Sequence, residues 1–126
     1  MSVVSQTLAV IAALIHLAFF VFESLWFDRP RVYHEWVLYS SREVDVARPF
    51  AFNQGFYHLM FAGGCLTGVG LLQTGLQQAG QALVIFTCVC MVGAGTVLIA
   101  SEQRLVRAGL IQAVPPLLAL VAAALL

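Results

Sequence analysis

The chain predicts an all-α integral membrane protein, a four-helix bundle with a short interfacial helix between its first two spans. Three observations carry this expectation. Of 126 residues, 61% are hydrophobic and only 10% are charged, and a mean hydropathy of +0.93 is too high for a dissolved globular domain. Four apolar runs, near 5–27, 50–72, 79–100 and 108–126, contain no Lys or Arg, and a helix needs roughly 20 residues to cross a hydrocarbon core of about 30 Å. Runs such as LAVIAALIHLAFFVF are continuous, whereas a membrane β-barrel requires alternating segments of about 10 residues. The chain therefore reads as one domain of four spans, with the lipid bilayer as its surroundings.

Span one follows MSVVSQ, which has no basic residues, and no small-residue cleavage site follows the apolar run. It reads as a retained span rather than a secretory signal. The next segment, DRPRVYHEWVLYSSREVDVARP, places Val32, Tyr33, Trp36, Val37 and Tyr39 near helical spacing against Arg31, His34 and Glu35. That pattern predicts a short amphipathic helix at the membrane surface, or a lid over a cavity on that side. Ser40 and Glu43 in SSRE form a capping-box pattern, so a new helix is expected to start there and run through Pro49 into span two.

Span two carries Gly63, Gly64, Gly68 and Gly70, and Gly64-x-x-x-Gly68 is a close-approach pattern. It suits packing inside the bundle or between two copies, so a homo-oligomer is one expected assembly. Span three adds Gly93 and Gly95, and span four contains Pro115 and Pro116. Those prolines withhold the amide donors that the carbonyls of Ile111 and Gln112 would otherwise receive, so a kink at polar depth is expected. Cys65, Cys88 and Cys90 lie inside spans without a CxxC pair, which suits packing better than redox chemistry.

All six basic residues are Arg, and they occupy two loops. Arg29, Arg31, Arg42 and Arg48 lie between spans one and two, and Arg104 and Arg107 between three and four. The intervening loop, QTGLQQAGQ, is uncharged. The positive-inside rule then predicts an inner (plasma) membrane protein with the Arg-bearing loops in the cytoplasm and both termini outside. No basic patch supports nucleic-acid binding.

The remaining polar residues form the candidate ligand-binding set: His16 and Glu23 in span one, Asn53, Gln54, Tyr57 and His58 in span two, and Gln112 in span four. Polar and ionisable groups inside a span are costly and usually face protein, water or a ligand. At about 1.5 Å per residue, Glu23, Asn53, Gln54 and Gln112 lie about 6–8 Å from the Arg-bearing side, with His16, Tyr57 and His58 about 12–16 Å deep. His16 and Glu23, seven apart, project within about 20° of each other on a straight helix. Depth sets Asn53 level with Glu23 and Tyr57 level with His16, while Gln54 and His58 fall about 100° round. Taken singly, each histidine also suits a buried imidazole bonded to a carbonyl.

HLAFFVFE, NQGFY and GLIQAVPPLLAL together resemble the domain of unknown function 1304 family of small bacterial and fungal four-span membrane proteins, over nearly the whole chain. The resemblance implies a four-helix fold and a site around His16, Glu23, Asn53, Gln54, Tyr57 and Gln112, with no established activity. Members often carry an acid where this chain has Ile15 and an Asn where it has His58, so shared proton chemistry is expected to be tuned differently here.

Two functions fit the set. One is binding or transport of a small amphipathic molecule, or proton coupling, with Glu23 supplying charge and the amides neutral hydrogen bonds. The other is a membrane enzyme acting on a lipid or isoprenoid, with Glu23 and His16 or His58 as acid and base. No metal site is expected, because no HxxxH, ExxH or Cys/His ligand spacing is present. The residues leave any cofactor unidentified.

Overall fold

The computed structural model describes residues 1–36 and 38–126. Ser2 opens helix α1 (Val3–Phe20), its side chain accepting the Ser5 N–H at 3.1 Å. The helix then widens into a π-helical turn, Val21–Leu25, closed by the Trp26 N–H donating to the Val21 carbonyl at 2.8 Å. A six-residue helix α2 (Pro30–Glu35) begins with proline, which suits a first turn where no amide donor is needed. Leu38 is left-handed (φ 57°), and the following Tyr39 N–H donates back to the Tyr33 carbonyl at 2.8 Å. Val37, part of the amphipathic pattern, lies outside the described residues.

Helix α3 (Ser41–Gln73) starts at Ser40 with the expected capping box. The Ser40 N–H donates to Glu43 Oε2 at 2.9 Å, and the Glu43 N–H to Ser40 Oγ at 3.3 Å. Its 33 residues extend about 50 Å, longer than the hydrocarbon core, so the charged turns before Pro49 overhang the apolar part. Gly75, at φ 86°, supplies the left-handed turn into α4 (Gln77–Ser101). A 3₁₀ turn, Gln103–Leu105, leads into α5 (Val106–Leu125), which passes through Pro115 and Pro116 as one continuous helix.

Four segments are long and apolar enough to cross a membrane: Val3–Leu25, Ser41–Gln73, Gln77–Ser101 and Gln103–Leu125. They form an antiparallel bundle in which α1 packs on α3 and α5, and α4 packs on the same two neighbours. Small residues set the spacing. A Cβ on Gly68 would lie 2.8 Å from Val84 Cγ2 and one on Gly80 2.7 Å from the Gly68 carbonyl, so α3 and α4 meet nearly backbone to backbone. Gly95 and Gly109 do the same for α4 and α5, with a Gly95 Cβ reaching 2.7 Å from the Gly109 carbonyl. Gly64 faces Thr87, so the Gly64-x-x-x-Gly68 pattern is used inside the bundle.

Ala9, Ala12, Ala13, Ala62, Cys65, Cys88 and Met91 fill the centre. Between 22% and 39% of each span's most apolar window is buried within the bundle, and the outward remainder includes Ile11, Leu14, Phe86, Val97 and Leu117. An apolar surface of that extent on every helix suits lipid, and the chain is a multi-pass membrane protein. Glu23, both Arg-bearing loops and their acids gather at one end, tied together by Arg48 with Asp28 and by Arg104 with Glu43 at 3.1 Å and Glu102 at 3.2 Å.

Candidate functional site

The π-helical turn decides where Glu23 points. An extra residue in the turn rotates Glu23 away from its straight-helix position, so the stripe it was expected to share with His16 is bent toward α3. Glu23 Oε2 lies 3.2 Å from Nε2 of His58, whose side chain is 1% exposed. The separation is that of an ion pair, without hydrogen-bond geometry. Next in depth, His16 and His58 face each other with ring centroids 5.1 Å apart, and Phe19 closes on His58 at 5.5 Å.

His16 is fully buried. Its Nδ1 is 2.9 Å from the Ala12 carbonyl, an acceptor, so Nδ1 carries the hydrogen and donates. Three buried polar atoms of the cluster then have no hydrogen-bond partner among the described residues: His16 Nε2, His58 Nδ1 and Glu23 Oε2. Buried polar groups normally find partners.

A second helix-to-helix contact holds the turn in place. Ser24 Oγ donates to the Phe52 carbonyl at 2.8 Å, and the Ser24 side chain occupies the space that a Cβ on Gly55 would fill. Gly55 in NQGFY thus admits α1 to the α3 surface beside Glu23 and His58. The inward face of α3 runs through Gly55, His58, Ala62 and Cys65, a spacing of three and four residues that selects one side of the helix.

The expected facing of α3 changes accordingly. Asn53 and Tyr57 point outward, Tyr57 being 51% exposed, and it is His58 that meets both Glu23 and His16. Equal depth alone had favoured Asn53 and Tyr57, but the small residues that permit close packing lie on the other side of the helix. Gln54 is exposed at the end of the bundle yet borders a groove with Glu23.

Glu23 also lines a cavity of about 50 Å³ with Phe19, Phe22, Phe27, Trp36 and Gln112. Gln112 is 2% exposed. Val32 and Trp36 bring α2 and the residue after it onto the cavity wall. Phe22 stacks on Trp36 at 5.9 Å, and the Arg107 guanidinium lies 5.1 Å from the Trp36 ring. An outer groove of about 240 Å³ shares Glu23, Phe27, Leu98 and Leu105 with this cavity and extends to Tyr39, Ala47 and Gln54. Phe27 meets Tyr39 edge-on at 6.4 Å, and Arg104 lies 5.0 Å from the Tyr39 ring.

Outside the spans, burial raises the Tyr39 phenol, and donation from Arg104 holds Glu102 below the usual carboxylate range. Among the described residues no three His, Cys, Asp or Glu side chains converge as a metal-ion set. Ser24, Gly55, Phe19 and Trp36 were missing from the sequence-based set. Gly55 had a signal, since a glycine inside a helix is less favourable than alanine by about 1 kcal/mol and usually answers to a packing need.

No curated protein and no solved structure matches the chain. A match to the family described as protein of unknown function (DUF1304) covers residues 10–124, and the chain belongs to that family.

Proposed function

We propose that this membrane protein binds a small amphipathic molecule at Glu23, and that the site lies in the cytoplasmic half of the membrane with both termini outside. The observation that carries the reading is the position of one carboxylate. Glu23 touches a buried histidine at 3.2 Å on one side and forms the wall of a mostly apolar cavity on the other. A pocket of apolar walls with a few convergent polar groups is the usual form of a small-molecule site. The positive-inside rule supports the orientation, because all six Arg residues sit at the Glu23 end.

The test is co-purification. Wild type, Glu23→Gln and His58→Asn are isolated from the same membranes in mild detergent, and bound small molecules are extracted and identified by mass spectrometry. An amphipathic species enriched with wild type and depleted at least fivefold in Glu23→Gln is expected. Identical extracts from all three proteins would remove the site from consideration.

A further inference from the structure

We infer that the cavity takes a small organic ammonium ion, with Glu23 as counter-ion and the surrounding rings as the wall against its alkyl part. This assignment rests on the cavity being a ligand site. Among the described residues Glu23 is the single charged side chain on the cavity wall, and its buried Oε2, which faces His58 at 3.2 Å, has no hydrogen-bond partner. A carboxylate accepts and never donates. It therefore favours a ligand that brings N–H donors and positive charge.

The histidines behind it add no donors toward that space. His16 spends its Nδ1–H on the Ala12 carbonyl, leaving Nε2 as an acceptor in the neutral ring. His58 turns Nε2 toward Glu23; with the hydrogen there, its buried Nδ1 is an acceptor too. Neither histidine lines the cavity, so they surround the carboxylate rather than touch the ligand. An anionic ligand would be repelled by the Glu23 carboxylate, although Gln112 and Trp36 bring N–H groups to the wall, and a donor-free apolar one would leave the carboxylate unmatched.

The walls favour the same ion. Phe19, Phe22 and Phe27 border the cavity beside Glu23, and a cation within about 6 Å of an aromatic centroid is attracted by the ring's negative face. Trp36 already holds Arg107 in that way, as Trp26 holds Arg29 at 4.5 Å, whereas the three phenylalanines carry no cation. A volume near 50 Å³ admits only a few water-sized groups, which suits a short alkyl chain. The outer groove shares Glu23 and Phe27 with the cavity and opens at the charged end, giving a way in.

The full-length protein, carrying Trp26→Phe so that fluorescence reports Trp36, is reconstituted in phosphatidylcholine nanodiscs. It is titrated separately with n-propylammonium, n-propanol and propionate. Saturable binding of propylammonium is expected, at least tenfold tighter than propanol, with no saturable signal from propionate. Glu23→Gln should weaken propylammonium at least tenfold and leave propanol unchanged. If that variant does not fold, Phe27→Leu keeps the charge and is expected to weaken propylammonium severalfold. Equal binding of propylammonium and propanol, preference for propionate, or ammonium binding untouched by both substitutions would overturn the ammonium assignment and leave the cavity as a site. Absence of saturable binding by all three probes would overturn both.

Discussion

At Gly55 the missing side chain lets Ser24 reach the α3 surface and donate to the Phe52 carbonyl. Alanine there gains about 1 kcal/mol of helix propensity but must displace Ser24, and overpacking costs about 1–3 kcal/mol. Gly55→Ala is therefore expected to lower stability by up to about 2 kcal/mol net in detergent unfolding titrations, with Ser24→Ala in the same chain recovering part of the loss. Gly63→Ala is the contrast. Nothing lies within 4 Å of a Cβ at that position, so the variant should match wild type or exceed it by up to about 1 kcal/mol. Glu102 carries the pH dependence outside the spans. Donation from Arg104 holds its folded carboxyl below the unfolded value of about 4.3. The resulting stability is present above that unfolded value and is lost as pH falls through the folded one. Hydrogen exchange at the Gln103–Leu105 turn, whose Arg104 N–H donates to Glu102, should accelerate on acidification below about pH 4 and lose that acid step in Glu102→Gln; an unchanged profile in the variant would assign the step elsewhere.

Helices contribute in proportion to their departures from regular geometry. The π-helical turn at Val21–Leu25 aims Glu23 at α3, and the following α2 segment folds back so that Val32 and Trp36 close the cavity. The amphipathic pattern over 31–39 had two readings, a surface anchor or a lid. Val32, buried at 6% exposure, and Trp36, in contact with Phe22 and Arg107, both line the cavity. Trp36→Ala is expected to raise the labelling rate of Glu23 by a hydrophobic carbodiimide severalfold, read by mass spectrometry of the peptide, with Arg107→Ala giving a smaller rise. Equal rates in all three proteins would show that the segment does not limit access. Helix α5 runs without interruption through Pro115 and Pro116. The prolines withhold two donors without ending the helix, and buried Pro116 packs within the bundle.

Across the whole molecule, charge is confined to one end and small residues to the helix crossings. All twelve charged side chains, six basic and six acidic, lie at the end where α1 finishes, α3 begins, α4 finishes and α5 begins, while the opposite end carries the uncharged Thr74–Gly75 turn. The expected orientation can be read by thiol labelling in intact cells. A cysteine at Thr74 should react with an impermeant maleimide from outside, and one at Ser101 only after lysis; the reverse pattern would invert the topology. Close crossings are a property of the same scale. Gly109→Leu must push against Ile99 and the Gly95 carbonyl, and it is expected to destabilise the bundle by about 1–3 kcal/mol in the same unfolding assay, whereas Gly93→Leu, facing open space, should leave it nearly unchanged.

Hydropathy, arginine placement and the Ser40 capping box are local properties, and they determined by themselves that the chain makes four membrane-crossing helices, where α3 begins, and which end carries the charge. They also set Glu23 level with Gln112 and His16 level with His58, because rise per residue is nearly constant along a helix. Facing is different. Which side of α3 turns inward depends on where Gly55, Ala62, Cys65 and Gly68 allow another backbone to approach, and a wheel drawn for one helix contains no partner. The π-helical turn at Val21–Leu25 likewise takes its meaning from the contacts of Ser24 and Glu23 with α3. Only the packed bundle decided that His58 rather than Tyr57 joins Glu23 and His16, and that a tryptophan from the connecting segment closes the space beside them.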